Sequence, residues 1–169
     1  MASRPLQAFT LIIAATVSSL LFASDDEGGR ALPAVNNAKW KTECASCHTL
    51  YHPALLPERS WRKLMAGLDR HFGENASLDA ATQKEIGEFL AAHAADRDNS
   101  RRARKIAQSV STAKTPLRIT ETDYFIRKHD EIRADVWKRP AIASKANCAA
   151  CHPGAAQGNF DEHGVRVPR

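Results

Sequence analysis

The run Cys44-Ala-Ser-Cys47-His48 recurs late in the chain as Cys148-Ala-Ala-Cys151-His152, and the two runs use up all four cysteines. A C-x-x-C-H run is the attachment signature of a c-type haem. Each thiol adds across one vinyl group of the porphyrin, and two intervening residues set the sulfurs at the separation of those vinyls. The histidine that follows falls beneath the iron and ligates it through an imidazole nitrogen. The repeat therefore predicts two haem c groups, tethered by Cys44, Cys47, Cys148 and Cys151, with His48 and His152 as proximal iron ligands.

Other chemistries of paired cysteines fit less well. Four thiols suit zinc, but the pairs lie about 100 residues apart where ribbon-like sites use roughly 12–20. Zinc also has no use for a histidine after each pair. Thioredoxin-like redox pairs want a preceding strand, and neither run follows one. Disulfides within each run are chemically open to a chain in an oxidising compartment.

Residues 1–23 read as an export signal: Arg4 is the basic flank, Phe9 to Phe22 the apolar run, and Ala23 a cleavage point before Ser24-Asp25-Asp26. An uncleaved anchor is the alternative, but about 14–17 apolar residues interrupted by Thr16, Ser18 and Ser19 are short for a span. No stable membrane insertion is expected once the signal is removed. Export to the periplasm agrees with the cysteines, since c-type haem is attached outside the cytoplasm. The formal charge of +5 is largely offset by the propionates of two haems. The basic run Arg101, Arg102, Arg104, Lys105 is a solvated face, a partner for propionates or a steering surface for an acidic redox protein. Nucleic acid is not an expected partner of an exported haem protein.

With 169 residues the chain has room for one ordinary domain or two small ones. Aromatics at 7% are sparse, as when porphyrins supply apolar bulk. Residues 24–35 are polar and glycine-bearing, a flexible leader. Asn36 or Asn37 caps a short helix running through Trp40 into Cys44. The two prolines of Tyr51-His52-Pro53-Ala54-Leu55-Leu56-Pro57 force a loop that wraps a haem edge. Trp61, Leu64, Met65 and Leu68 recur at helical spacing and predict an amphipathic helix over 60–70, stopped at Gly73. A second helix starts near Ser77 or Asp79 and carries Ile86, Phe89, Leu90 and His93. This order of elements resembles the class I cytochrome c fold, here over residues 36–96, in which the sixth iron ligand lies between the last two helices.

A class I cytochrome usually offers methionine there, but the chain has only Met1 and Met65. Met65 lies on the apolar stripe, where methionine fills cores. His71, beside a glycine, is the favoured distal ligand of the first iron. His52 is its rival, and His93 reads as a helix-contact residue. Residues 97–116 form a basic connector anchored by Ile106 and Val110. A C-terminal haem domain, 117–169, opens with a helix capped by Thr120 or Thr122, with Phe125, His129, Ile132 and Val136 on one stripe. His129 is favoured as the distal ligand of the second iron, over His163 in the glycine-bearing tail. Its ligand precedes the attachment motif, so this half is not a second class I copy. The predicted class is all-α.

Further runs, among them Leu55-Leu56-Pro57, Ser60-Trp61, His71-Phe72-Gly73-Glu74-Asn75-Ala76-Ser77-Leu78, Leu117-Arg118-Ile119-Thr120 and Lys145-Ala146-Asn147-Cys148, resemble the dihaem cytochrome c (DHC) family. The resemblance implies a class I-like N-terminal domain, an unusual C-terminal haem domain and two bis-histidine haems. It also implies electron carriage between a membrane cytochrome b and a small soluble haem protein, without catalysis. The competing expectation is a haem enzyme or gas-binding protein, peroxidase-like or a sensor, with one iron left open.

Overall fold

The computed structural model describes residues 31–169. The expected signal and residues 24–30 of the expected leader lie outside the described residues. Where the leader is described it is packed: Leu32 is buried and its N–H donates to the Gly158 carbonyl at 3.0 Å. Gly158 has φ +71, and a Cβ there would come within 3.0 Å of both Leu32 and His52, so glycine alone permits this contact between the start and the end of the described chain.

Helix α1 (Ala38–Cys44) begins at Asn37, whose side chain accepts from the Trp40 N–H at 2.8 Å. It satisfies one of the unpaired donors of the first turn and turns Trp40 inward. The helix runs out at Cys44, so the first attachment motif hangs from its C-terminal end. The proline-rich loop that follows is buried from His52 to Pro57. Burying a loop is costly unless its backbone groups are bonded. Here Pro53 and Pro57 carry no N–H, and the Pro53 carbonyl takes the Trp61 indole N–H at 2.6 Å. The Leu56 carbonyl takes the Ala95 N–H at 2.9 Å.

Helix α2 (Glu58–Met65) is shorter than the spacing predicts. It ends at Ala66, Gly67 leaves helical geometry, and a 3₁₀ turn, Leu68–Arg70, continues the inward stripe. Glycine is the weakest helix former after proline, which is why the period outruns the helix. Helix α3 (Ala80–Ala92) is capped by Asp79, accepting from Ala81 and Thr82 at 3.1 and 3.0 Å. Gln83 reaches across to donate to the Met65 carbonyl at 2.6 Å, satisfying an open acceptor at the end of α2. Trp40, Leu56, Trp61, Met65, Leu68, Ile86 and Leu90 form the core between these helices.

The expected connector is a third packing layer. Helix α4 (Arg101–Gln108) sets Ala103 and Ile106 against Leu32, Ala54, Leu55 and Ala95. The single helix expected from Thr120 is two, α5 (Asp123–Lys128), capped by Thr122, and α6 (Ala134–Trp137). The break comes at His129, whose N–H donates to the Ile126 carbonyl at 3.2 Å while its imidazole Nδ1 bonds the Phe125 carbonyl at 2.8 Å. The rest of the chain runs through 3₁₀ turns at Cys148–Ala150, Ala155–Gln157 and Glu162–Gly164. The described residues are all-α, without a named strand.

Candidate functional site

Both Cys-x-x-Cys-His runs face a second histidine. At the first, His48 and His71 have ring centres 6.2 Å apart with planes at 26°. At the second, His152 and His129 are also 6.2 Å apart, with planes at 79°. One metal held by both imidazoles would separate the ring centres by roughly 6.2 Å, given metal–nitrogen bonds of about 2.0 Å and about 1.1 Å from ring centre to ring nitrogen. Both pairs match that spacing.

Local structure aims each ring. His48 Nδ1–H donates to the Thr49 carbonyl at 2.8 Å. A carbonyl can only accept, so Nδ1 holds the proton and Nε2 keeps its lone pair for a metal. His129 is held in the same way by Phe125, whose ring also stacks on it at 4.1 Å and 21°. His71 follows the turn at Leu68–Arg70 and starts a tight reversal in which Phe72 has φ +54 and Gly73 φ +105. A bulky residue in the left-handed region is strained, and the reversal is closed by the Glu74 N–H donating to the His71 carbonyl at 3.1 Å. His152 follows a 3₁₀ turn and donates its N–H to the Cys148 carbonyl at 2.8 Å.

One observation fits a haem at each place. The four thiols are not joined to one another, which leaves them free for thioethers. Burial pushes the Cys44 thiol up to about 11 and raises Cys148 and Cys151. That favours thiol over the thiolate zinc needs, and no cluster of three metal-binding side chains occurs among the described residues. Burial, then the neighbouring His48 and Arg118, lowers His71. Burial also lowers His129 and His152, so all three favour the neutral imidazole that ligates metals.

The rival histidines are occupied elsewhere. His52 is buried, its Nδ1 accepting from the Ala54 N–H at 3.1 Å and its Nε2–H donating to the Pro33 carbonyl at 2.9 Å. Neither nitrogen is left for iron. His93 is exposed at the end of α3, bonded to the Phe89 carbonyl and lying 4.7 Å from the Phe89 ring. His163 is exposed beside Asp161 at 3.0 Å. The sequence reading did not single out Trp137, 5.9 Å from His129, or Phe160, 5.4 Å from His152. Their only sequence signal is an aromatic in a segment poor in apolar residues.

The model of a family described as dihaem cytochrome c matches residues 40–160. Among solved structures the chain is similar to a diheme cytochrome c from Rhodobacter sphaeroides, with 43% identity and a TM-score of 0.68 over 78% of this chain and all of that one. A DHC purified from the same organism matches with 43% identity and a TM-score of 0.61, over 76% of this chain and 100% of that chain. A diheme cytochrome type c from Shewanella baltica matches with 40% identity and a TM-score of 0.64, over 78% of this chain and 93% of that chain. No curated protein matches.

Proposed function

Because this chain belongs to the dihaem cytochrome c family and so carries two haem c groups, we propose that it is an electron carrier whose two irons are each closed on both faces by histidine. His48 and His71 hold the first iron, and His152 and His129 the second. Cys44, Cys47, Cys148 and Cys151 supply the thioethers. The observation that carries this is the 6.2 Å spacing in both imidazole pairs.

The haems supply one-electron redox chemistry. The polypeptide would tether them through the four cysteines, fix the imidazole planes and supply an imidazole on each face of each iron. With both filled there is no site for substrate, which favours electron carriage over catalysis. Imidazole on both faces lacks the thioether sulfur that raises a cytochrome c potential, so both potentials are low. The domain division proposed is a class I-like unit over 36–96, the α4 segment within 97–116 and a C-terminal haem unit over 117–169. The physiological reading is periplasmic transfer after signal removal, from a membrane cytochrome b to a small soluble haem protein. No helix among the described residues is long and apolar enough to cross a membrane.

Optical spectra of the ferric and ferrous protein, with carbon monoxide added, test the ligation. Two low-spin haems that leave carbon monoxide unbound are expected. A high-spin band, or rapid carbon monoxide binding at one haem, would overturn it in favour of an enzyme or gas-binding protein.

A further inference from the structure

We propose that Tyr51 is the bridge between the two haem sites, its ring orienting His48 and its hydroxyl fastening the segment that carries the second attachment motif. The proposal rests on the ligation above and adds the route between the sites. Tyr51 follows His48 by three residues and stacks on it, ring centres 4.9 Å apart and planes at 30°. The same side chain donates its hydroxyl to the Ala146 carbonyl at 2.8 Å, a contact between residues 95 positions apart. That carbonyl also accepts the Cys148 N–H at 2.9 Å. One acceptor therefore joins the phenol to the amide of a residue tethered to the second haem. The contacts run from the His48 ring through the Tyr51 ring and hydroxyl to Ala146 and Cys148.

This route needs no chemistry of the tyrosine. As an electron passes, one iron goes from ferrous to ferric while the other goes from ferric to ferrous. No bond is made or broken, and the phenol keeps its proton. The Ala146 carbonyl can only accept, so the hydroxyl is the donor in this bond. The geometry divides the side chain into two roles: the ring acts on the first site and the hydroxyl on the second.

Two variants of the haem-loaded protein separate these roles, Tyr51→Phe and Tyr51→Leu. Three readouts apply: electron paramagnetic resonance of each low-spin haem, hydrogen exchange at the Cys148 amide, and the inter-haem transfer rate after flash photoreduction. Tyr51→Phe keeps the ring, so both resonance signals stay in place. Exchange at Cys148 quickens and inter-haem transfer slows several-fold. Tyr51→Leu has these effects and also shifts the signal of the haem beside His48, leaving the other signal alone. An unchanged transfer rate in Tyr51→Phe, or unchanged signals in Tyr51→Leu, overturns the bridge. The unsubstituted protein tests the ligation separately, because two low-spin signals are required there whatever Tyr51 does.

Discussion

The two haem sites hold the same residues in very different surroundings. The first is set into a helical core: α2 and α3 pack over Trp40, Trp61, Met65, Ile86 and Leu90, and α1 delivers the cysteines. The second hangs on the six residues of α5 and a series of 3₁₀ turns. Beyond α4, the hydrophobic residues buried among the described ones are Val110, Phe125, Ile142, Cys151 and Ala155. Isolated helices this short are marginal in water, and so few apolar side chains bury little area at about 25 cal/mol per Å². The first site takes its shape from a protein core. The second needs the porphyrin itself as core, so binding there is folding.

The largest effect that could break this contrast comes from removing the second tether. A Cys148→Ala/Cys151→Ala protein is expected to lose the second haem. Amides across 123–166 should then exchange like an unstructured chain, while those of α2 and α3 keep their protection. Hydrogen exchange read residue by residue decides this. Retained protection in 123–166 would mean that the C-terminal half folds on side chains alone.

Next in size is the loss of a distal ligand. His71→Ala should turn one haem high-spin and open to carbon monoxide with the other untouched, and His129→Ala the reverse. The two should differ in aftermath. His129 also caps the Phe125 carbonyl and stacks on its ring, so its removal loosens α5. His71 leaves behind only a surface reversal. Optical spectra give the spin state, and a larger drop in melting temperature for His129→Ala would support the unequal dependence. An unchanged low-spin spectrum in either variant would return His93 or His163 to candidacy.

The same contrast governs what could be read from sequence. The attachment runs, the Asn37 and Asp79 caps and the α3 stripe are local signals, and the structure holds them where local rules put them. The errors fall where the hydrophobic period continues but the backbone does not. The stripe from Trp61 to Leu68 continues through a non-helical Gly67 because the core accepts a turn there as readily as a helix. The stripe from Phe125 to Val136 is cut at His129, where the backbone N–H turns to the Ile126 carbonyl and the ring closes on Phe125. Polar composition hid α4, where two buried residues, Ala103 and Ile106, suffice to dock it on Ala54 and Leu55. His71 and His129 could be proposed only by elimination, since nothing local in the sequence distinguishes a metal ligand from a packed or surface histidine. The Tyr51 hydroxyl contact had no signal at all, because its partner is a backbone carbonyl far along the chain.

A subtler difference is electronic. If each pair closes one iron as proposed, near-parallel imidazole planes, 26° at the first site, would act on the same iron d orbital and split the upper pair. Planes at 79° would act on both and leave the pair nearly degenerate. Low-temperature electron paramagnetic resonance should therefore show one rhombic low-spin signal and one strongly anisotropic signal with a large maximal g. His71→Ala should remove the first and His129→Ala the second. Two rhombic signals would erase the distinction.

The smallest expected effect lies at the seam between the halves. His52 touches Pro33 through its Nε2–H, and the Gly158 backbone lies against its ring. Burial holds its pKa below the ordinary 6.5, although the Pro33 bond and Asp98 pull upward; His93 adds to the lowering. A histidine kept neutral in the folded chain binds a proton more readily when unfolded. Its contribution is therefore fully present above pH 6.5 and lost as the pH falls below that value toward the lower folded pKa. Protonation would also put a proton on Nδ1, the atom that accepts from Ala54. His52→Asn keeps an acceptor without titrating. It should melt below the native protein at neutral pH, with the gap narrowing as acid is added through the window. Melting curves for the two proteins that stay parallel from about pH 7.5 to about pH 5 would show that the seam does not sense protons there.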